Sequence, residues 1–242
     1  MYANIYLKNN IKIYYMNTKE SFLVTLMISV VIQIITGIIE VFSLFIKIPN
    51  NFSLIRQLLI LEVSVQFIEG MFYFWLVYNF NTITDVTPKR YIDWSITTPT
   101  MLVTLILYLI YLKHREKDHA ISLNFFSLLS DNSRIITNVL YLNWLMLIFG
   151  YLGEKKIIPT NIGVILGFVP FLMYYFLIYI NYAVFSKDGL KIFWYFFFFW
   201  SIYGIVAMFP YYMKNTFYNI LDLFSKNFFG LYLSYIILSG NF

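Results

Sequence analysis

Long apolar runs separated by short polar breaks dominate the chain from about residue 22 onward. Seven runs stand out: about Phe22 to Ile46, Phe52 to Tyr78, Arg90 to Leu112, Arg134 to Leu152, Thr160 to Phe185, Leu190 to Phe209 and Thr216 to Leu238. The breaks between them include KIPNN, NFNTITDVTPK, KHREKDHA, GEKK and SKDG. A helix needs about 20 mostly apolar residues to cross roughly 30 Å of hydrocarbon, and every run meets or approaches that length. The runs are continuous and do not alternate, which argues against a sandwich or barrel with its period of two. The pattern predicts an all-α protein: a seven-transmembrane-helix bundle over residues 22–240, preceded by an N-terminal tail at 1–21. No internal repeat stands out, and the connections are too short for a second domain. The opening MYANIYLKNNIKIYYMNTKE lacks both a continuous apolar core and a small-residue cleavage site, so the first span itself is expected to act as the insertion signal.

Composition supports this picture. The 242 residues are 60% hydrophobic, 22% aromatic and only 12% charged, against about 25% charged in a soluble domain. The net charge of +5 fits contact with anionic lipid headgroups better than nucleic acid. With no cysteine, disulfides, thiol catalysis and thiolate metal sites are excluded. His114 and His119 lie five residues apart in a polar loop, which is poor spacing for a metal site, and none is expected. Orientation rests on a small bias: Lys47, Arg56, Lys113, Arg115, Lys117, Arg134, Lys187 and Lys191 flank the same side, which favours an outside N-terminus and a cytoplasmic C-terminus.

Against this background the ionisable residues inside the runs are conspicuous. Each costs on the order of 2.5–3.5 kcal/mol at a helix centre and is usually paired or functional. They are Glu40, Glu62, Glu69, Arg90, Asp93, Asp222 and Lys226. Asp222 and Lys226, at i and i+4, share one helix face, and Asp93 on the third run can meet Lys226 across the bundle. Two readings stay open at this point. The cluster is a structural ion-pair network, or the lysine is used chemically. A desolvated amine flanked by carboxylates can form a Schiff base with an aldehyde, whose charge Asp93 and Asp222 would balance.

The motifs carry a resemblance. RYIDWSITTP closely resembles the third-helix signature of microbial (type 1) rhodopsins, LDLFSK resembles their seventh-helix retinal-holding motif, and WSIYG is similar to their sixth-helix W-x-x-Y-P with Gly204 in place of proline. Asn143, Met146 and Gly150 fall at spacings similar to family pocket positions. The resemblance implies all-trans retinal on Lys226, with Trp94, Thr98, Met146, Gly150, Trp200 and Tyr203 around it. It also implies Asp93 as counterion and proton acceptor, Asp222 as second counterion and Arg90 as a switch. Among such rhodopsins the chain looks most like the viral rhodopsins of giant algal viruses, one group of which acts as light-gated cation channels.

Two features separate it from outward proton pumps. Thr104 stands eleven residues after Asp93, where pumps of this family place a carboxylate donor, and no Asp or Glu lies between Trp200 and Asp222. Instead, Glu62, Gln66 and Glu69 form one polar stripe at i, i+4 and i+7, and Asn219, Asp222 and Lys226 a second. Facing rows of acids and amides can line a hydrated, cation-attracting path, or they can be hydrogen-bonded between helices as packing. Glu40 is expected near the interface, outside the site. The reading is a light-gated cation channel, not an enzyme, expected to form a homo-oligomer and to meet lipids, retinal and cations or protons. An outward pump is the alternative, and a photosensor follows it.

Overall fold

The computed structural model describes the backbone of residues 2–116 and 123–242 and the side chains of 17–116 and 123–242. Lys8, Lys12, Lys117 and His119 therefore lie outside the described side chains. Among the described residues seven helices are long and apolar enough to cross a membrane: Asn17–Leu44, Asn50–Asn79, Thr87–Arg115, Ser133–Glu154, Thr160–Phe185, Lys187–Val206 and Tyr211–Ser239. They are called the first to seventh spans, and they fit an integral multi-pass membrane protein. The first belongs to a helix that begins further back, at Tyr2–Leu44, so much of the expected tail runs into it. A short helix, Phe125–Asp131, lies between the third and fourth spans; Asn124 caps it by accepting from the Ser127 N–H at 3.0 Å.

The spans pack as a ring in chain order, and the seventh closes it against the first and second. The third span is the most enclosed, with 78% of its apolar window buried, followed by the seventh at 61%. The fourth is only 22% buried. Outward faces carry Phe42, Phe67, Ile92, Phe176 and Phe198, all more than half exposed, as a lipid-facing surface requires. Polar side chains are instead turned inward.

Local chemistry explains two deviations. Pro99 sits inside the third span and cannot donate to the carbonyl four residues back; that carbonyl, of Ser95, accepts from Trp144 Nε1 at 2.9 Å. The fourth and fifth spans approach so closely that a Cβ on Gly163 would lie 2.8 Å from the Phe149 carbonyl oxygen, the use small residues have between membrane helices. The seventh span is also irregular: Tyr211–Asp222 and Phe228–Ser239 are α-helical, and Leu223–Asn227 between them is a π-helical turn. Tyr195 Oη donates to the Phe224 carbonyl within that turn at 2.7 Å. π-Turns cluster at functional sites, and this one contains Lys226.

Candidate functional site

Lys226 projects from the π-turn into the centre of the bundle, where it is 4% exposed. Its ammonium donates to Asp93 Oδ2 at 2.6 Å and lies 3.7 Å from Glu69 Oε1 and 3.9 Å from Asp222 Oδ1. Three spans thus each present one carboxyl to a single amine. The sequence placed two of them there; Glu69 is the third.

Asp222 is held from several directions. Tyr73 Oη donates to Oδ2 at 2.7 Å, Tyr203 Oη donates to Oδ1 at 2.7 Å, and Arg90 Nη1 donates to Oδ2 at 3.2 Å. Ser225 Oγ sits 2.6 Å from Tyr203 Oη. Arg90 itself is 1% exposed and is tied by its other nitrogens to Asn215 Oδ1 at 3.0 Å and Asn219 Oδ1 at 2.5 Å. Asn219 then donates to Thr25 Oγ1 on the first span at 3.1 Å. A buried guanidinium with its donors satisfied costs far less than a bare one.

The other wall beside Lys226 is an apolar cavity with about 770 Å³ of empty space, part of it open to the outside. Every residue expected around the chromophore lines it: Lys226, Trp94, Thr98, Met146, Gly150, Trp200 and Tyr203. Trp94 meets Tyr203 and Tyr218 edge-on, at centroid distances of 5.6 and 5.1 Å. Thr98 receives the Asn143 amide at 2.8 Å, so Asn143 fixes a wall residue from outside the lining. Gly204 admits the ring of Phe168: a Cβ there would lie 2.6 Å from it. An elongated apolar molecule with one reactive end suits this space, with flat aromatic walls, few polar atoms and the amine at one side.

Beyond Lys226, towards the end of the bundle where the first span finishes, the polar column continues. Asn227 Nδ2 and Gln66 Nε2 both donate to Thr36 Oγ1, at 2.9 and 3.0 Å. Past this knot lie Glu40, Glu62 and Thr104, at 1, 2 and 0% exposure. Glu40, expected near the interface and outside the site, is turned into the bundle. It packs over Gly230, where a Cβ would collide with its carboxyl group. The missing side chain at 230 lets an acid near the helix end tuck inward.

Some contributors were missed. Tyr73 continues the Glu62–Gln66–Glu69 stripe by one more turn, and Asn215 continues the Asn219–Asp222 stripe backwards by one; extending each periodicity would have found them. Nothing in the spacing marks Tyr218 or Phe168 among so many aromatics.

The sequence matches the family model for bacteriorhodopsin-like proteins over residues 22–240. The chain belongs to the bacteriorhodopsin-like family. Among solved structures it resembles the viral rhodopsin OLPVRII, with 26% identity, a TM-score of 0.73 and coverage of 93% of this chain and 99% of that one. It also shares its fold with a blue light-absorbing proteorhodopsin from Med12, at 18% identity and TM-score 0.69, covering 93% and 98% of the two chains. The proton pumping rhodopsin AR2 from the marine alga Acetabularia acetabulum is similar at 18% identity and TM-score 0.67, with 92% and 96% covered. No curated protein matches the sequence. Membership of the bacteriorhodopsin-like family gives the seven-helix fold its precedent and makes the third- and seventh-span motifs more than coincidence.

Proposed function

We propose that the protein is a retinal-binding, light-gated cation channel. The observation that carries this reading is one lysine, Lys226, standing between an aromatic cavity and a polar column that runs on along the first, second, third and seventh spans. All-trans retinal, bound as an imine on Lys226 Nζ, would supply light absorption and an isomerisation that re-aims that nitrogen. The chain's own residues do the rest. Trp94 and Trp200 confine the polyene, and Asn143 holds Thr98 against it. Asp93 Oδ2, the nearest carboxyl oxygen at 2.6 Å, is the first acceptor for the proton of the lysine nitrogen. Asp222 is the less open acceptor, because two tyrosines and Arg90 already donate to its oxygens.

Once that proton has moved to Asp93, Glu69 faces a neutral nitrogen and the electrostatic clamp on the column loosens. Glu62, Gln66, Glu69 and Asn219 then offer oxygens to water and cations. The orientation that goes with this reading has the N-terminus outside and the C-terminus in the cytoplasm, in line with the lysine and arginine bias. An outward proton pump is the second reading, favoured by the short Asp93 contact alone.

Two experiments separate the parts of the claim. Lys226→Ala should abolish the visible absorption band of retinal-supplied protein; a surviving band removes the chromophore assignment. Glu69 stands close enough to Lys226 that Glu69→Gln should change both colour and ion selectivity. Glu62 lies two turns further on, so Glu62→Gln should change selectivity without moving the absorption maximum. Unchanged selectivity in both variants removes the second span from the path.

A further inference from the structure

We propose that Glu154 and Lys214 form a strap across one end of the bundle that closes the cavity beside Lys226 to water and water-borne nucleophiles. This rests on the reading of Lys226 as the chromophore lysine, whose imine such nucleophiles would attack. Neither residue belongs to the third- or seventh-span motifs, and Glu154 falls in the GEKK break that ends the fourth apolar run.

The strap joins two spans that lie apart in the ring. The fourth span packs on the third and fifth, and the seventh on the first, second and sixth. Among the described residues, the only hydrogen bonds linking the fourth span to the seventh run from Lys214 Nζ to Glu154 Oε1 and Oε2, both at 2.7 Å. Both side chains are 9% exposed. Apart from the pairs that Lys226 and Arg90 make, the other ion pair among the described residues joins Lys191 to Asp188 within one helix, and it is largely exposed. A buried pair adds little net stability, because desolvating both ions offsets most of their attraction. What it fixes is geometry: one amine gripping both carboxyl oxygens holds the ends of two separate helices at a set distance.

Helix periodicity sets the strap over the cavity. Glu154 stands four residues beyond Gly150, and Lys214 four residues before Tyr218; Gly150 and Tyr218 both line the cavity. On each helix the strap residue is therefore one turn, about 6 Å, further out than a wall residue on the same face. The remaining wall residues of these two spans, Met146, Leu147, Ser225 and Lys226, all lie deeper. One layer of rings separates strap and cavity. Tyr91 reaches from the third span towards the fourth, where a Cβ on Gly150 would lie 2.7 Å from its hydroxyl oxygen. Tyr91 and Tyr218 each meet Trp94 edge-on, at centroid distances of 4.9 and 5.1 Å. Gly150 makes room for Tyr91 but brings no side chain to fill this end, so closure there falls to the residues one turn out.

The test reads access to the cavity with and without the chromophore, in the full chain. The chain has no cysteine, so Ser225→Cys places a single thiol on the cavity wall beside Lys226. In the retinal-free protein this thiol should react slowly with a cationic and with an anionic methanethiosulfonate. Adding Glu154→Gln or Lys214→Met should speed both reagents on the order of tenfold, the scale of a lost charge-assisted hydrogen bond. Acceleration of one reagent alone would report local charge instead of opening, and would overturn the strap. Lys214→Arg, and Glu154→Lys combined with Lys214→Glu, should return the rate towards that of the parent; failure of both to do so would overturn the pairing. In the retinal-supplied protein, hydroxylamine in the dark should bleach the visible band faster in the same two single variants, its nitrogen taking the imine carbon while Lys226 leaves as the free amine. Lower thermal stability with unchanged labelling and bleaching would make the pair a packing contact and overturn the proposal. A parent thiol that labels as fast as the single variants would do the same. Absence of any visible band would instead defeat the Lys226 reading, and thiol labelling would still decide whether the strap closes the cavity.

Discussion

On one side of Lys226 the polar column is saturated, and on the other it is not. Arg90, Asp222, Asn215 and Asn219 exchange hydrogen bonds with one another and with Tyr73, Tyr203, Thr87 and Thr25. Glu40, Glu62, Gln33 and Ser234 are just as deeply buried, yet their side chains keep unpartnered polar atoms. Burial alone therefore does not distinguish the halves; satisfaction of donors and acceptors does. A saturated network fixes one geometry and resists change. An unsaturated one keeps a standing demand for water or cations, which is what the proposed conducting path would require. The bundle accordingly joins a rigid anchor to a responsive half, with Lys226 at the junction.

Substitutions should expose this asymmetry in stability. Arg90→Gln should be the most damaging, costing about 3–5 kcal/mol, because it removes the cation hydrogen-bonded to buried Asp222 and leaves only Lys226, 3.9 Å from its other oxygen. Thermal unfolding in detergent measures it, and a change below about 1 kcal/mol would mean the anchor is not an anchor. Gly204→Ala should cost about 1–3 kcal/mol by driving a methyl group into the Phe168 ring. Adding Phe168→Leu should return much of that loss, and a purely additive double variant would separate the two residues. Trp144→Phe should cost about 1 kcal/mol through the lost bond to the Ser95 carbonyl. Glu40→Gln should change stability least, by less than about 1 kcal/mol, since Glu40 has no ion-pair partner among the described residues and one of its carboxyl oxygens is unpartnered. A loss there as large as that of Arg90→Gln would erase the contrast between the halves.

Much of this arrangement is legible in the sequence. The spans follow from the length of the apolar runs, and Lys226, Asp93, Asp222 and Arg90 are visible as charges that no lipid-facing position would tolerate. The cavity residues came from motif resemblance, since aromaticity says little in a chain with 26 Phe and 22 Tyr. What spacing could not give was the depth at which each charge settles. Glu40 lies close to the end of its apolar run, and only the bare backbone at Gly230, nearly two hundred residues away, draws it inside. Glu69 was assigned to a stripe by its helical period, but its approach to Lys226 depends on how the second and seventh spans pack. The π-turn was also hidden, because the same residues read as an ordinary α-helix.

The central claim is that the responsive half conducts. It is tested most directly by a photocurrent–voltage curve on retinal-supplied cells in two baths with different cation gradients. The account predicts a current that reverses sign at a voltage set by the gradient and shifts when the bath is exchanged. A current that stays outward at every voltage would contradict it, and would mean that the protein pumps protons through Asp93.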